Sequence, residues 1–398
     1  MQARRVVESV DWVGAIDWDR RLFDALIPLP DGTSYNAYLV RGSSGTALLD
    51  TVDPACAQIL SARLAHAGAE HIDFLVAHHA EQDHSGAIPL VLAAHPETTV
   101  LATEKGKTML VDHLGVPAER IRAVRDGERL NLGGLTLEFL HFPWVHWPET
   151  MVTWLPERRI LFTCDLFGSH LATSELFAGE DAGVLLGAKR YYAEIMMPFR
   201  NLIEKRLERL TGLRPAYIAP SHGPIYERPE FILEAYREWL TAPPHNLIVV
   251  PYLSMHASTR RMVEVFVEAC IRRGMRVEQF DLTDPDLGKL AMLLVDAASI
   301  VIGTPVVLGG PHPKAAYAAY LANLLRPKAR FLSVLGSYGW GGKMVEQLAA
   351  MIPNLKLEVL PPVLCKGLPG ADDCESLEAL AATFAERHAR LTTVGIPS

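Results

Sequence analysis

Apolar and polar residues alternate along this chain in two different rhythms, one on each side of about residue 240. In the first part, short apolar runs typical of β-strands dominate, and helical stretches intervene at residues 56–67 and 197–210. The strand-like runs cover residues 36–40, 46–50, 74–77, 99–102, 135–140, 153–155 and 160–163. This αβ pattern with hairpins predicts stacked mixed sheets that are flanked by helices.

The second part follows a segment with two prolines at residues 241–246, which predicts a linker. Strands are then predicted at residues 247–252, 276–281, 299–303 and 330–335, with helices at 259–273, 314–325 and 342–351. Such a βαβ series predicts a doubly wound parallel sheet of about 150 residues. We therefore expect two domains, at residues 1–243 and 247–398.

Composition narrows the class of protein. A chain of 398 residues with 49% apolar content can form two cores, and its net charge of −8 argues against nucleic acid or anionic membrane as partner. No apolar run approaches the roughly 18 residues of a membrane span, and the polar N-terminus is not typical of a signal peptide. The five cysteines form no C-x-x-C pair, which predicts no attached iron–sulfur or rubredoxin module and a cytoplasmic location.

The most informative segment crowds four metal-competent side chains, His79, Glu81, Asp83 and His84, into six positions after the run at 74–77. Alternate side chains of a strand face opposite sides, so a loop at the strand end must bring them together. Burying each of these groups without a partner would cost roughly several kcal/mol. A bound cation is therefore predicted.

Three more candidate ligands, His146, Asp165 and His222, each lie just past the end of an apolar run. Loops from one edge of a sheet can converge, and the combined set of four imidazoles and three carboxylates exceeds what one tetrahedral ion needs. The set suits two ions with one bridging carboxylate. The neighbouring His78 is one residue out of phase, and we expect it not to be a ligand.

A second kind of site is predicted where the strand at 247–252 runs through a hydroxyl-rich turn, residues 253–259, into a helix. Serine and threonine hydroxyls, together with free N–H groups at a helix N-terminus, form a cradle for a phosphate. Two later loops, at residues 304–310 and 336–342, follow other strands of the same predicted sheet.

These motifs resemble those of one family. The H-x-E-x-D-H loop with the later His, Asp and His resembles the metallo-β-lactamase superfamily, specifically its flavodiiron branch, and the turn at 253–259 resembles the FMN-phosphate loop of flavodoxins. Ala257 stands where that loop usually has glycine. The resemblance covers nearly the whole chain. It implies an N-terminal metallo-β-lactamase-like αββα sandwich followed by a flavodoxin-like doubly wound parallel sheet.

The resemblance also implies ligand roles. One iron would be bound by His79, Glu81 and His146, the other by Asp83, His84 and His222, with Asp165 bridging the two. Hydrolytic zinc members usually carry histidine where this chain has Glu81, and a harder anionic ligand favours iron. The resemblance also implies that His170 and Tyr192 deliver protons or hydrogen bonds beside the irons. Tyr191, next to Tyr192, is included in this expectation.

For the flavin, the resemblance implies contacts from all three loops, where aromatic rings can flank the isoalloxazine and glycines allow backbone contact. The second loop departs from the family's frequent P-T-x-N-N pattern. The predicted FMN contacts are Ser254, Met255, His256, Ala257, Ser258, Thr259, Thr304, Pro305, Val306, Gly336, Ser337, Tyr338, Gly339 and Trp340.

The activity that the resemblance implies is reduction of O2 to water, of NO to N2O, or both, at a non-haem di-iron site with electrons relayed through FMN. It further implies an external donor, rubredoxin with its reductase or an F420H2-type donor. A head-to-tail homodimer, or a dimer of such dimers, would bring the FMN of one subunit to the irons of the other. Two alternatives stay open: a zinc-dependent hydrolase of the superfamily, and a pure electron carrier.

Overall fold

The computed structural model describes residues 1–393, and these form two compact units, Met1–Leu240 and a second that begins at Thr241. We describe each unit separately. No helix within residues 1–393 combines the length and the apolar character that crossing a bilayer requires.

The first unit contains two large mixed sheets. The first sheet has the order β1-β2-β7-β8-β9-β10-β11, and the second has the order β12-β13-β14-β15-β16. The strands of the first sheet are β1 (Arg4–Val7), β2 (Val10–Trp12), β7 (Tyr38–Arg41), β8 (Thr46–Leu49), β9 (Phe74–Val76), β10 (Thr99–Ala102) and β11 (Ile121–Ala123). Those of the second are β12 (Arg129–Asn131), β13 (Thr136–His141), β14 (Met151–Leu155), β15 (Ile160–Phe162) and β16 (Tyr217–Ala219). Two small hairpin-like pairs complete the unit: β3 (Ala15–Asp17) with β6 (Thr33–Tyr35), and β4 (Leu22–Phe23) with β5 (Ile27–Pro28).

Helices cover these sheets. Those of the first unit are α1 (Ala57–His66), α2 (Gln82–Ser85), α3 (Ile88–Ala94), α4 (Glu104–Leu114), α5 (Ala182–Tyr191), α6 (Arg200–Thr211) and α7 (Pro229–Thr241), with a π-helical turn at Tyr192–Met196 after α5.

Two apolar layers hold the first unit together. Side chains from both sheets, such as Val40 and Phe139, share one buried cluster. A second cluster lies between the first sheet and its helices, with Leu60 of α1, Val91 of α3 and Leu110 of α4. Because one face of each sheet meets the other sheet, the ends of the strands are left free to carry the ligand loops. The predicted sandwich is confirmed.

The second unit is built on a parallel sheet with the order β18-β17-β19-β21-β22, to which β23 adds beside β21. Its strands are β17 (His245–Tyr252), β18 (Arg276–Asp281), β19 (Ala297–Val307), β20 (Gly310–Pro311), β21 (Phe331–Tyr338), β22 (Glu358–Val359) and β23 (Val363–Lys366). Its helices are α8 (Ser258–Ile271), α9 (Leu287–Asp296), α10 (Pro313–Leu325), α11 (Met344–Ala350) and α12 (Ala371–Thr393). Numbered from β17, this is the 2-1-3-4-5 strand order of flavodoxin-like sheets, as predicted.

The structure differs from the sequence prediction at the boundary between the units and in several added elements, of which the longest is α12. Helix α7 continues to Thr241 and β17 starts at His245, so the predicted linker at 241–246 shortens to the residues between them. The long helix α12 was not predicted from the sequence. Its buried side chains Leu377, Ala381 and Phe384 pack against α8 and the sheet.

His388 of α12 makes the stability of the second unit depend on pH. Its ring is buried, with Nε2 2.6 Å from Ser299 Oγ and Nδ1 2.8 Å from Asn246 Oδ1. Burial lowers the pKa of His388 from its ordinary 6.5 to about 4. The unfolded chain therefore binds a proton first as the pH falls, and we expect the free energy of unfolding to drop by about 3 kcal/mol between pH 6.5 and 4.

The measurement is denaturant unfolding at several pH values, with His388→Gln as the comparison. This variant should flatten the pH dependence of the second unit in that window. An unchanged slope would contradict the assignment to His388.

Candidate metal centre and flavin site

The predicted ligands lie on loops at one edge of the sandwich. His79 and Glu81 follow β9, and α2 carries the next two ligands of the same segment. His146 lies in the loop between β13 and β14, Asp165 follows β15, and His222 follows β16. The seven side chains gather into two adjacent groups, in each of which the candidate ligand atoms lie within 4.8 Å of one another.

The first group contains His79, Glu81, His146 and Asp165. Asp165 Oδ2 lies 2.9 Å from His79 Nε2 and 3.0 Å from His146 Nε2. Glu81 Oε2 lies 3.3 Å from His146 Nε2. Two ligand atoms that are each about 2.1 Å from one ion, and at right angles to each other, are about 3 Å apart. The spacing of the first group is therefore that of side chains surrounding a single cation.

The second group contains Asp83, His84 and His222. Asp83 Oδ2 lies 3.2 Å from Nε2 of both His84 and His222. The other carboxylate oxygen of Asp165, Oδ1, lies 3.1 Å from His84 Nε2 and 3.5 Å from His222 Nε2. Asp165 thus turns one oxygen to each group, which is the geometry of a bridging carboxylate.

The polar atoms at this centre are buried but poorly paired within the described residues. His79 Nε2, Asp165 Oδ1 and both carboxylate oxygens of Asp83 make no acceptable hydrogen bond. Buried polar atoms without partners lower the stability of the folded state, and a cluster of them indicates a site for a bound ion. The donor set of imidazoles and carboxylates therefore fits two iron ions.

Charge within the cluster is balanced by protons when no cation is present. Although burial lowers the pKa of His84, Asp83 and Asp165 outweigh it and raise that pKa to about 9. Burial likewise opposes the shift of His146, but Asp165 and Glu81 raise its pKa to about 9. Cations must therefore displace protons from these rings when they bind.

Partners behind the ligands fix two of the rings. His222 Nδ1 lies 2.7 Å from the carbonyl oxygen of Ser34, so it carries the proton and leaves Nε2 free to bind a metal. His78 uses both nitrogens within the protein, at 2.6 Å from Asp50 Oδ2 and 2.8 Å from Thr153 Oγ1. His78 therefore supports the loop from outside the two ligand groups.

Of the two residues predicted to act beside the metals, the structure places only His170 there. Its ring lies 4.8 Å from those of His222 and Tyr191, and its buried Nε2 has no hydrogen-bond partner among residues 1–393. Burial and the neighbouring His222 hold the pKa of His170 well below its ordinary value, so the ring is neutral.

The prediction for Tyr192 was wrong about its position. Its hydroxyl donates to the carbonyl oxygen of Trp239 at 3.3 Å, and its ring packs among aromatic side chains of α7. Tyr191 faces the centre instead, with its ring 5.6 Å from that of His222. The π-helical turn that begins at Tyr192 changes the helical phase, which a sequence pattern does not reveal.

In the second unit, the hydroxyl-rich turn leads directly into α8. Its N-cap residue, Ala257, has φ +68° and provides no capping side chain. The Arg260 N–H donates to Ser254 Oγ at 3.2 Å, and the N–H groups before it at the start of α8 can serve a phosphate. The side chains of Met255 and His256 are exposed, whereas Thr259 is buried with its Oγ1 2.8 Å from Ser337 Oγ. That contact joins the first and third predicted loops, and the arrangement fits the phosphate end of FMN.

The second predicted loop is mostly strand. β19 continues to Val307 and forms a hairpin with β20. The Thr304 hydroxyl accepts the N–H of His312 at 3.0 Å and donates to the Pro305 carbonyl at 3.0 Å, so its hydrogen-bonding capacity is used inside this hairpin. The third loop continues β21 to Tyr338 and leaves the ring of Trp340 79% exposed. A cleft of about 430 Å³ opens beside this loop and next to Val306.

Ala257 gives a direct test of the phosphate loop. Positive φ is strained for any residue with a Cβ, so we expect Ala257→Gly to raise the free energy of unfolding of the second unit by up to about 1 kcal/mol without weakening FMN binding. Ala257→Val should lower both, because a β-branched side chain is poorly tolerated there. Flavin fluorescence titration and chemical unfolding measure the two effects. Equal behaviour of the glycine and valine variants would contradict the left-handed conformation.

Comparison with known proteins agrees with this geometry. A family profile described as "ODP family beta lactamase" matches residues 33–223. A nitric oxide reductase of Moorella thermoacetica is 33% identical over 393 residues, which cover 96% of this chain and 98% of that protein. A coenzyme F420H(2) oxidase of Methanothermobacter marburgensis is 34% identical, over 90% and 91% of the two chains.

Among solved structures, rubredoxin oxygen:oxidoreductase from Desulfovibrio gigas superposes with a TM-score of 0.93 at 30% identity, covering 98% of this chain and 100% of that one. The likeness thus extends over both units and not over the metal-bearing part alone. With relatives of this identity matched along nearly their whole length, the chain belongs to the flavodiiron proteins, the family also called type A flavoproteins.

Proposed function

We propose that this chain is an oxidoreductase that reduces O2 to water, NO to N2O, or both, at a non-haem di-iron site with electrons relayed through FMN. The observation that carries the proposal is the position of Asp165, whose two oxygens face two separate ligand groups. When bound, the iron pair supplies Lewis acidity and two electrons, which FMN replenishes. Glu81 weighs against the zinc hydrolase, because a carboxylate at this position favours a harder, redox-active ion.

In this proposal the seven side chains would hold two cations. Asp165 would be shared between them, with His79, Glu81 and His146 on one side and Asp83, His84 and His222 on the other. Most of these ligands follow strand ends or lie on α2, and His79, Asp83, His84, Asp165 and His222 are buried, which holds their side chains in place. Glu81 and His146 are each 15% exposed, so the centre is open to solvent on their side.

Residues around the centre exclude bulk water and hold protons. Phe23 packs 5.2 Å from the ring of His170, and the Oγ1 of Thr33 lies 2.9 Å from His170 Nδ1. A neutral His170 with one nitrogen engaged by Thr33 keeps its other nitrogen available for a hydrogen bond at the centre. We infer that His170 and Tyr191 provide hydrogen bonds that orient groups at the centre.

We further propose a head-to-tail homodimer, or a dimer of such dimers, in which the flavin site of one subunit meets the metal mouth of its partner. On the first unit, Trp18, Leu22 and Leu26 are exposed in the segment that carries Phe23, beside a cleft of about 390 Å³ that opens onto Glu81 and Asp83. On the second unit, Trp340 and other apolar side chains are exposed next to the third loop. Exposed apolar surface at both sites is what a mutual interface would cover.

Electrons are proposed to come from an external carrier, either rubredoxin or an F420H2-type donor, since relatives carry both of these names. A cytoplasmic location is proposed with it. The five cysteines of the described residues are free thiols, and four of them are buried, which suits a reducing compartment.

The test is anaerobic reconstitution with iron and FMN, followed by side-by-side measurement of O2 and NO consumption by the reduced protein. We expect about two irons and one FMN per chain and consumption of at least one gas. A protein that takes up zinc but not iron, or that is reduced by a donor yet consumes neither gas, would refute the proposal. Sedimentation analysis tests the dimer, which full turnover by a monomer would contradict.

A further inference from the structure

Glu149 is a buried carboxylate that belongs to neither ligand group. It lies just before β14, three residues after His146, and its side chain is 3% exposed. Its Oε1 accepts the backbone N–H of Ala80 at 2.9 Å, while its buried Oε2 makes no hydrogen bond within the described residues. Acidic side chains are rarely buried to this extent unless the protein gives them a partner.

Ala80 occupies a special position, because it separates His79 from Glu81. The peptide that Glu149 holds therefore lies between two side chains of the first ligand group. Each peptide is planar and leaves only two soft dihedrals per residue, so rotation of the Ala80 peptide would carry both ligands with it. A bond to this N–H controls the direction of two ligands at once.

The backbone of Glu149 is itself anchored. Its carbonyl oxygen accepts the hydroxyl of Thr103 at 3.0 Å, and the same hydroxyl oxygen caps α4 by accepting the N–H of Gly106 at 3.1 Å. Two residues later, the N–H of Met151 donates to the carbonyl of His78 at 2.9 Å. The anchor is thus a strand and a helix N-terminus, and both are rigid elements of the fold.

We propose that Glu149 is a positioning residue that clamps the His79–Glu81 segment to the loop carrying His146, so that the three ligands of the first metal are aligned before the metal arrives. This inference rests on the ligand assignment of the proposed function. Hydrogen bonds that orient a ligand segment from behind control metal affinity. Its side-chain hydrogen bond goes to the segment of the first group, so the clamp is proposed to act on that group.

Titration of the metal-free, FMN-loaded protein with Co2+, followed by its visible absorption bands, tests the proposal. We expect Glu149→Ala to bind one of its two Co2+ ions about 10- to 100-fold more weakly and the other with unchanged affinity. Its pattern should resemble that of His146→Ala and not that of His222→Ala.

Conservative variants separate the hydrogen bond from mere space-filling. Glu149→Gln keeps an oxygen that can accept the Ala80 N–H, so it should retain near-normal affinity for both ions. Glu149→Asp is shorter by about 1.5 Å and should weaken the binding of one ion as the alanine variant does. Glu128→Ala is the matched control, because Glu128 also accepts a backbone N–H, that of Arg125 at 2.9 Å, but in an exposed turn without predicted ligands.

Wild-type affinity for both ions in the alanine and aspartate variants would overturn the proposal, as would equal weakening by glutamine and aspartate. Amide hydrogen exchange tests the clamp on the unsubstituted protein, so the result does not depend on whether a variant folds. We expect the Ala80 N–H to be strongly protected before metal is added, and rapid exchange there would also overturn the clamp. Co2+ binding does not depend on gas reduction, so an iron-loaded protein that consumes neither gas would refute the proposed function and leave the clamp intact.

Discussion

Replacement of Asp165 by alanine is expected to remove both metals and to lower gas consumption by more than the roughly 100-fold that changes behind the ligands cost. Asp165 faces both ligand groups, with Oδ2 2.9 Å from His79 Nε2 and Oδ1 3.1 Å from His84 Nε2. Without it, the two cations lose their shared anion and repel each other across a buried site. Iron content and O2 or NO consumption measure the effect.

Flavin binding provides the internal control, because the second unit should retain FMN in the Asp165 variant. Asp11→Asn is the matched substitution. Asp11 is also buried in the first unit, but it pairs with Arg5 and Arg41 and lies in neither ligand group. Two tightly bound irons in Asp165→Ala, or loss of iron in Asp11→Asn, would contradict the bridging role.

Removing the metals is expected to destabilise the first unit and leave the second unit unchanged. A metal that binds only the folded state, at a free concentration 1,000-fold above its Kd, contributes about 4 kcal/mol to the free energy of unfolding. Here the loss leaves carboxylates and imidazoles crowded within about 3 Å of one another, as between Asp165 and His146 at 3.0 Å, with protons alone to balance them. The first unit should therefore unfold at a lower denaturant concentration than the reconstituted protein.

Optical signals can separate the two units in this experiment. Of the seven tryptophans, only Trp340 belongs to the second unit, so tryptophan fluorescence reports mainly on the first. Flavin absorbance reports on the second. Identical unfolding curves for the chelated and reconstituted proteins, by tryptophan fluorescence, would show that the cluster holds no structural cation.

Local chemistry and periodicity carried much of the sequence prediction. A metal site could be predicted from the four ligand types crowded behind one strand, His79, Glu81, Asp83 and His84. Burying such groups without a cation is unfavourable in any surroundings. The parallel sheet could be predicted from the regular alternation of strands and helices after residue 247, because parallel strands require crossover connections. Turn chemistry also marked the start of α8, where hydroxyls precede a helix.

The structure alone settled how neighbouring side chains divide between the site and the core. Tyr191 and Tyr192 are identical residues in sequence, and the π-helical turn decides which ring faces His222. Ala257 could have adopted an ordinary conformation, and its φ of +68° follows from the turn into α8.

The sequence by itself determined which residues could bind metal and phosphate, and at which strand ends they lie. Those properties depend on neighbours only a few positions away. Only the tertiary structure decided that Asp165 shares its oxygens between two groups and that Glu149 reaches Ala80, 69 residues away. Contacts over such distances arise from packing of whole sheets and helices, which no local pattern specifies.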